Sequence, residues 1–484
     1  MNNSKNLILK CLLLVLLLAF TGSVFYGQAP PAPIDKQIDA LFSGYNSTTP
    51  GVAVAVVKDG EIIFKKGYGT ANLEYDIPVT TKTVFQIASV SKQFTAFSIY
   101  LLEKQGKISL EDDVRKYIPE LADTGKIVRI KHLLAHTSGV KDQWALIALA
   151  GWRSEDVVTT PHVLRLISRQ KELNFEPGSR YLYSNTGYTL LAEIVNRVSG
   201  QSFAEFTKKN IFLPLGMTDT QFYDDFERIV KNRADSYELQ NGIYKKKGLI
   251  NSVEGPSNLY TTVEDMAKWV MNFDTPLAGD AELIKRFNEP SLLNNGERVV
   301  WGISDGDPGY HAKGQIHWNY KGVRLMSHGG HAAAFRSFLG RFPDKRLAVI
   351  ALSNDEHYQN FNTSIKIAEF YLKDDLKPNP VTSTAAAVPN KPVEKPDNNL
   401  KDFEGKFYND ELETYYSAKS AGGKLILSHT RHGYIELTET GKGKFSGRIE
   451  FPSEIEFFRD QNGVVTGFKV SNFGAKNVKF DKVK

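Results

Sequence analysis

Apolar positions along this chain fall into two patterns. Short runs rich in β-branched and aromatic residues stand at positions 52–57, 62–64, 323–327, 335–342 and 347–352. Runs of that length and composition predict strands. Asp59-Gly60 between the first two is a hairpin signal, and Pro343-Asp344 marks a turn between the last two. From about residue 109 to 287, apolar residues instead recur at helical spacing, punctuated by Pro119, Pro161, Pro177, Gly200 and Pro214. Positions 34–42 and 365–372 read as a first and a closing helix. Strands, a large helical insertion, strands and a helix predict an α+β fold: an antiparallel sheet built from both ends of the segment and flanked by helices.

The pattern changes twice more. Positions 374–398 hold Pro378, Pro380, Pro389, Pro392, Pro396 and the run Ala385-Ala386-Ala387, a linker composition. Beyond it, β-like runs at 424–428, 434–437, 455–458 and 464–470 are divided by Gly422-Gly423, Gly441-Lys442-Gly443 and Asn462-Gly463. They predict a small all-β barrel or sandwich. At the other end, Lys5 and Lys10 precede an apolar run at 12–20 and small or polar residues at 23–29. This is the pattern of an export signal, too short for a comfortable membrane span. The expected organisation is a signal at 1–29, an α+β domain at 30–373, a linker at 374–398 and a β domain at 399–484. The mature protein is expected in the periplasm or outside the cell, with no membrane span.

Composition narrows the chemistry. Cys11, the single cysteine, lies inside the signal segment and precedes its apolar run. The mature chain is therefore expected to contain no disulfide and no catalytic thiol. A net charge of +5 without a basic block argues against a nucleic-acid partner. No dinucleotide-type glycine loop and no His-Glu-x-x-His pattern occurs, so neither cofactor nor metal is expected.

Ser89-Val90-Ser91-Lys92 carries the first candidate chemistry, at a predicted strand-to-helix junction. Residues three apart on a helix share a face, so the Lys92 amine can lie beside the Ser89 hydroxyl and activate it. Ser138…Lys141 and Ser168…Lys171 share the spacing, but sit in a predicted loop and within an amphipathic run. Tyr183 and Asn185 lie in Tyr181-Leu182-Tyr183-Ser184-Asn185, just before an apolar helix. Tyr183 can act as a base or proton relay if a lysine favours its phenolate, and Asn185 offers a donor and an acceptor to a substrate amide. Tyr358-Gln359-Asn360 matches the same tripeptide but follows the last strand. His328-Gly329-Gly330-His331 is expected to end the 323–327 strand, its glycines marking the close approach of a backbone or ligand at a sheet edge. His136-Thr137-Ser138-Gly139 reads as a structural cap and turn.

In this order, Ser89-x-x-Lys92, Tyr183-x-Asn185 and His328-Gly329-Gly330 resemble the serine β-lactamase and penicillin-binding protein superfamily. The tyrosine form of the second motif is similar to the class C branch, with its D-alanyl-D-alanine carboxypeptidase, D-aminopeptidase and esterase relatives. The resemblance covers about positions 34 to 372. It implies a two-step acyl transfer in which Ser89 attacks a carbonyl, aided by Lys92 and Tyr183, and water releases the acyl group. The backbone N–H groups of Ser89 and His331 would hold the oxyanion. Class C β-lactamases carry lysine at the position of His328, so efficient β-lactam hydrolysis is not expected.

Three readings compete. The first is a D-amino-acid peptidase acting on small substrates or peptidoglycan peptides, and the second a carboxylesterase or weak β-lactamase on the same residues. The third is a catalytically silent binding protein, whose signature would be a lost catalytic residue; none is lost. Specificity is expected from loops at 141–160 and 305–321, with Trp144, Trp152, Trp301 and Trp318 as candidate lining. The β domain resembles lipocalin-like appendages and reads as a stabilising or dimerising module. Oligomeric state is not legible.

Overall fold

The computed structural model describes residues 33–304, 307–377 and 399–483. The expected signal segment with Cys11, and positions 378–398 of the expected linker, lie outside them. Ile34–Leu41 forms a short helix. No helix among the described residues is long and apolar enough to cross a membrane.

The sheet has eight antiparallel strands: Val52–Lys58 (β1), Glu61–Tyr68 (β2), Val300–Ser304 (β3), Asp307–Ala312 (β4), Gln315–Tyr320 (β5), Val323–Ala332 (β6), Phe335–Phe342 (β7) and Leu347–Ser353 (β8). Their spatial order is β3-β4-β5-β6-β7-β8-β1-β2. β1 and β8 pair from Val52↔Ser353 to Lys58↔Leu347, so the two ends of the segment meet inside the sheet as expected. Both strands are almost continuously apolar and buried along both faces. Such runs suit a central position covered by helices. Val263–Met271 and Asn360–Leu372 both pack on β8.

Three expectations need correction. The described part of the expected 305–321 loop is mostly strand, 307–312 in β4 and 315–320 in β5. Pro308, Gly309 and alternating polar residues mask the strand pattern there, and pairing with β6 decides the conformation. Trp301 and Trp318 accordingly pack on each other, 5.4 Å between rings, at the outer end of the sheet. The helical insertion also contains a hairpin, Tyr237–Gln240 with Ile243–Lys246, turning at Asn241-Gly242. Finally, β6 does not end before His328 but runs through the whole His328–His331 motif, paired with β7 to Ala332↔Phe335. β5 pairs only with positions 323–327, so the second half of β6 has one free edge.

Residues 405–483 close into an eight-stranded barrel. Four of its strands, among them Lys444–Ile449 and Val478–Val483, were not legible, because charged residues alternate with single apolar ones. The interior is filled by Phe403, Phe407, Phe445, Phe457, Phe468 and Phe480, as expected for a barrel of this strand number. Ala145, Leu146 and Leu149, on the Gln143–Leu149 helix, join the same apolar cluster. That contact fixes the barrel beside the helical insertion.

Candidate active site

Phe85–Gln86 forms a two-residue strand that pairs with Leu259–Thr261. The chain then turns sharply: Ala88 has φ +48°, and a 3-10 turn at Ala88–Ser91 leads into the Lys92–Lys104 helix. A positive φ at alanine is strained and persists only where neighbours hold it. Gly330 of β6 is that neighbour. A Cβ there would lie 2.2 Å from Ser337 Oγ, 2.3 Å from Ile87 O and 3.1 Å from Ala88 Cβ. Ser337 Oγ also donates to Ile87 O at 2.7 Å. Only glycine allows the sheet to press on the turn that carries Ser89. Gly330→Ala should therefore move Ser89 and lower kcat by about a hundredfold or more, read by ester hydrolysis alongside a thermal melt.

Lys92 is fully buried, and its Nζ lies 3.1 Å from Ser89 Oγ, 2.9 Å from Asn185 Oδ1 and 2.7 Å from Pro256 O. Tyr183 Oη lies 2.8 Å from Ser89 Oγ and donates to it. Burial lowers the Lys92 pKa from its ordinary 10.5 to about 7, against an opposing pull from Asp142. Burial also raises the Tyr183 pKa, with Ser89 opposing. The three contacts of Lys92 suit an ammonium that donates to all of them, and equally the neutral amine formed as pH rises through its pKa. In the amine, two N–H groups serve Asn185 Oδ1 and Pro256 O, which can only accept, and the lone pair faces the Ser89 hydroxyl. The condition under which Tyr183 would act as a base is not met, because burial keeps the proton on its phenol, and the deprotonated Lys92 amine is the group able to take one.

Asp142 was not singled out from sequence, yet it organises the cluster. It is buried, and one oxygen accepts from Asn185 N at 2.6 Å and Asn185 Nδ2 at 2.9 Å. Its other oxygen caps the Gln143–Leu149 helix through Trp144 N and Ala145 N. Burial raises its pKa, and these donors oppose the rise. Asn185 is thus held with its carbonyl toward Lys92. His136 does lie in a turn, with φ +57°, but it also supports the site. Its ring stacks on Tyr183 at 4.3 Å, and its Nδ1 accepts from Ser184 N at 3.1 Å. His311 of β4 packs 4.9 Å from His136. Burial pushes both imidazoles well below their ordinary pKa, so the layer beneath Tyr183 is neutral.

The remaining sequence candidates divide between the faces of β6. His328 is buried, with Nδ1 2.6 Å from Gly329 O, and burial lowers its pKa to about 4. It therefore supplies no positive charge at neutral pH. Gly329 lies toward Asn360 of the closing helix, away from Ser89. His331 lines the pocket over Ser89. The decoy serines are engaged elsewhere: Ser138 Oγ accepts from Val140 N and Ser168 Oγ donates to Arg165 O. The decoy Tyr358-Gln359-Asn360 is also structural, with Asn360 Nδ2 donating to Ser337 O.

Ser89, Tyr183 and Asn185 open into a cavity of about 380 Å³. Trp144 and Trp152, from the expected specificity segment, line it, and so do Phe451 and Phe473 of the barrel. The barrel also meets Asp142 directly: Asp142 N donates to Gly474 O at 2.9 Å, and a Cβ on Gly474 would lie 2.3 Å from Asp142 Cβ. The barrel is thus a wall of the site, a role the sequence did not signal.

A family model described as Beta-lactamase matches residues 38–370. A penicillin-binding protein of Bacillus subtilis (strain 168) is 28% identical over 467 residues, covering 91% of this chain and 95% of its own. A D-aminopeptidase of Brucella anthropi is 30% identical over 312 residues, which is 64% of this chain and 57% of that protein. The match thus spans little more than half of that relative's length. The octameric penicillin-binding protein homologue from Pyrococcus abyssi shares the fold, with TM-score 0.63 at 23% identity over 93% of this chain and 99% of that one.

Proposed function

This chain belongs to the Beta-lactamase family and is a serine hydrolase, and from that premise we propose that it is an exported D-amino-acid peptidase of the DD-carboxypeptidase type. Ser89 Oγ attacks the scissile carbonyl as its proton passes to the neutral Lys92 Nζ. Tyr183 Oη, hydrogen-bonded to Ser89 Oγ, relays the proton on to the leaving amine. The backbone N–H groups of Ser89 and His331 receive the oxyanion, each typically worth ~3 kcal/mol in such sites. Water then attacks the acyl-enzyme, with Lys92 again accepting the proton. Asn185 orients the substrate amide. In this reading positions 1–29 are the export signal, 30–373 the hydrolase, 374–398 a linker and 399–484 the accessory barrel.

The free edge of β6 beside Ser89 carries the choice of a peptide. An extended peptide can satisfy its own backbone groups there, as an added strand does at any open edge. A simple ester gains nothing from it. The neutral His328 supports weak handling of β-lactams, because no fixed charge replaces the lysine of class C enzymes. A carboxylesterase is the second reading, favoured by the aromatic lining of Trp144, Trp152, Phe451 and Phe473. Incubation with a peptide ending in D-Ala-D-Ala, followed by assay of free D-alanine, is expected to show release. Turnover of p-nitrophenyl esters with no D-alanine released would put the esterase first.

A further inference from the structure

A second cavity, of about 420 Å³, adjoins the first and shares Leu249 and Ala333 with it. Four charged residues line it: Arg233, Asp235, Lys246 and Lys247. Lys246 pairs with Asp235 at 3.0 Å and with Glu74, and Lys247 pairs with Glu238 and with Glu356 at 3.3 Å. Arg233 has no carboxylate partner among the described residues. Its guanidinium lies 5.7 Å from the Tyr223 ring and 6.0 Å from the Tyr260 ring, and Nη1 donates to Tyr223 Oη at 3.2 Å. Arg233 is exposed, and the two rings hold its planar fork of donors in place with no carboxylate against it.

A second donor is also unused. Asn251 lines the same cavity and is only 1% exposed. Its Oδ1 accepts from Val253 N at 3.1 Å, while its Nδ2 has no acceptor among the described residues. A buried amide N–H without a partner is costly and is normally satisfied by protein, water or ligand. A guanidinium without a carboxylate partner and an amide N–H without an acceptor line one cavity, and a carboxylate carries the negative charge and the acceptor oxygens that match both.

We propose that this second cavity is a subsite for a carboxylate carried by the substrate at a distance from the scissile bond, bound by Arg233 and Asn251. The sheet leads to it: Ala333 directly follows β6 and lines the cavity, so a substrate lying along the free edge of β6 past His331 arrives at its mouth. The subsite rests on the serine-hydrolase reading of Ser89, but not on the choice between peptide and ester.

The test uses D-alanyl peptides bearing a carboxylate at increasing distance from the scissile bond, each paired with its carboxamide, and the same pairs built on p-nitrophenyl esters. In the wild-type protein at least one pair is expected to favour the carboxylate about tenfold to a hundredfold in kcat/KM, as charge-assisted bonds do. Arg233→Met keeps an unbranched chain between the two rings and should bring that ratio near unity. Asn251→Leu should reduce it as well, with a thermal melt to follow folding. Cleavage of the esters but not the peptides would overturn the peptidase reading and leave the ratio measurable. A ratio near unity for every wild-type pair, or one that survives Arg233→Met, would overturn the subsite.

Discussion

Ser89→Ala is expected to lower kcat by about four to six orders of magnitude, leaving only what binding and the oxyanion donors supply. The reason lies in the hydrogen-bond accounting. Ser89 Oγ is the shared partner of Tyr183 Oη and Lys92 Nζ, and among the described residues no other hydroxyl is bonded to both. The decoy serines are bonded to backbone groups of their own neighbourhoods, so they offer no replacement. Intact mass after incubation with a penicillin reads the same step directly. The wild type should gain the mass of the drug, or hydrolyse it, and the alanine variant should do neither. An adduct that persists on Ser89→Ala would place the nucleophile elsewhere.

Lys92→Met is expected to cost about two to four orders of magnitude in kcat/KM, the usual range for a positioned general base. The pH profile gives the sharper reading. A base works only when deprotonated, and the Lys92 pKa is lowered to about 7 chiefly by burial. The kcat/KM of the wild type should therefore rise with pH and reach half its plateau near that value. Asp142 opposes the shift, so Asp142→Asn should move this limb to lower pH while reducing kcat through the loosened Asn185. A limb that stays in place would separate Asp142 from the charge on Lys92. The sign extends to stability. Between about 7 and 10.5 the unfolded chain carries a proton on Lys92 that the folded one does not, so this group makes stability rise with pH across that window. Lys92→Met should flatten the rise, measured as Tm against pH.

Ser89 and Lys92 were legible because three residues of one turn set their separation, and local spacing encodes that. Tyr183-x-Asn185 and the glycines of β6 were legible as motifs, although Gly330, packed on Ile87 and Ala88, was not distinguishable in advance from Gly329, which lies toward Asn360. Asp142, His136 and His311 were not legible as parts of the site. Each acts only through contacts made across long stretches of chain, and an isolated buried Asp or His has no sequence signature. β3, β4 and β5 were missed for the related reason that pairing, not composition, makes them strands.

The sequence by itself determined the α+β order, the small β domain, and the serine, lysine and tyrosine that meet at one point. These follow from periodicity and short-range spacing, which the chain carries wherever it goes. Tertiary structure decided the rest. It buried Lys92 until its pKa fell to about 7, turned His328 into an uncharged group, and set Phe451, Phe473 and Gly474 of the barrel against the site. Desolvation and close approach depend on which distant segments come together, and that is settled only when the sheet and the barrel have closed.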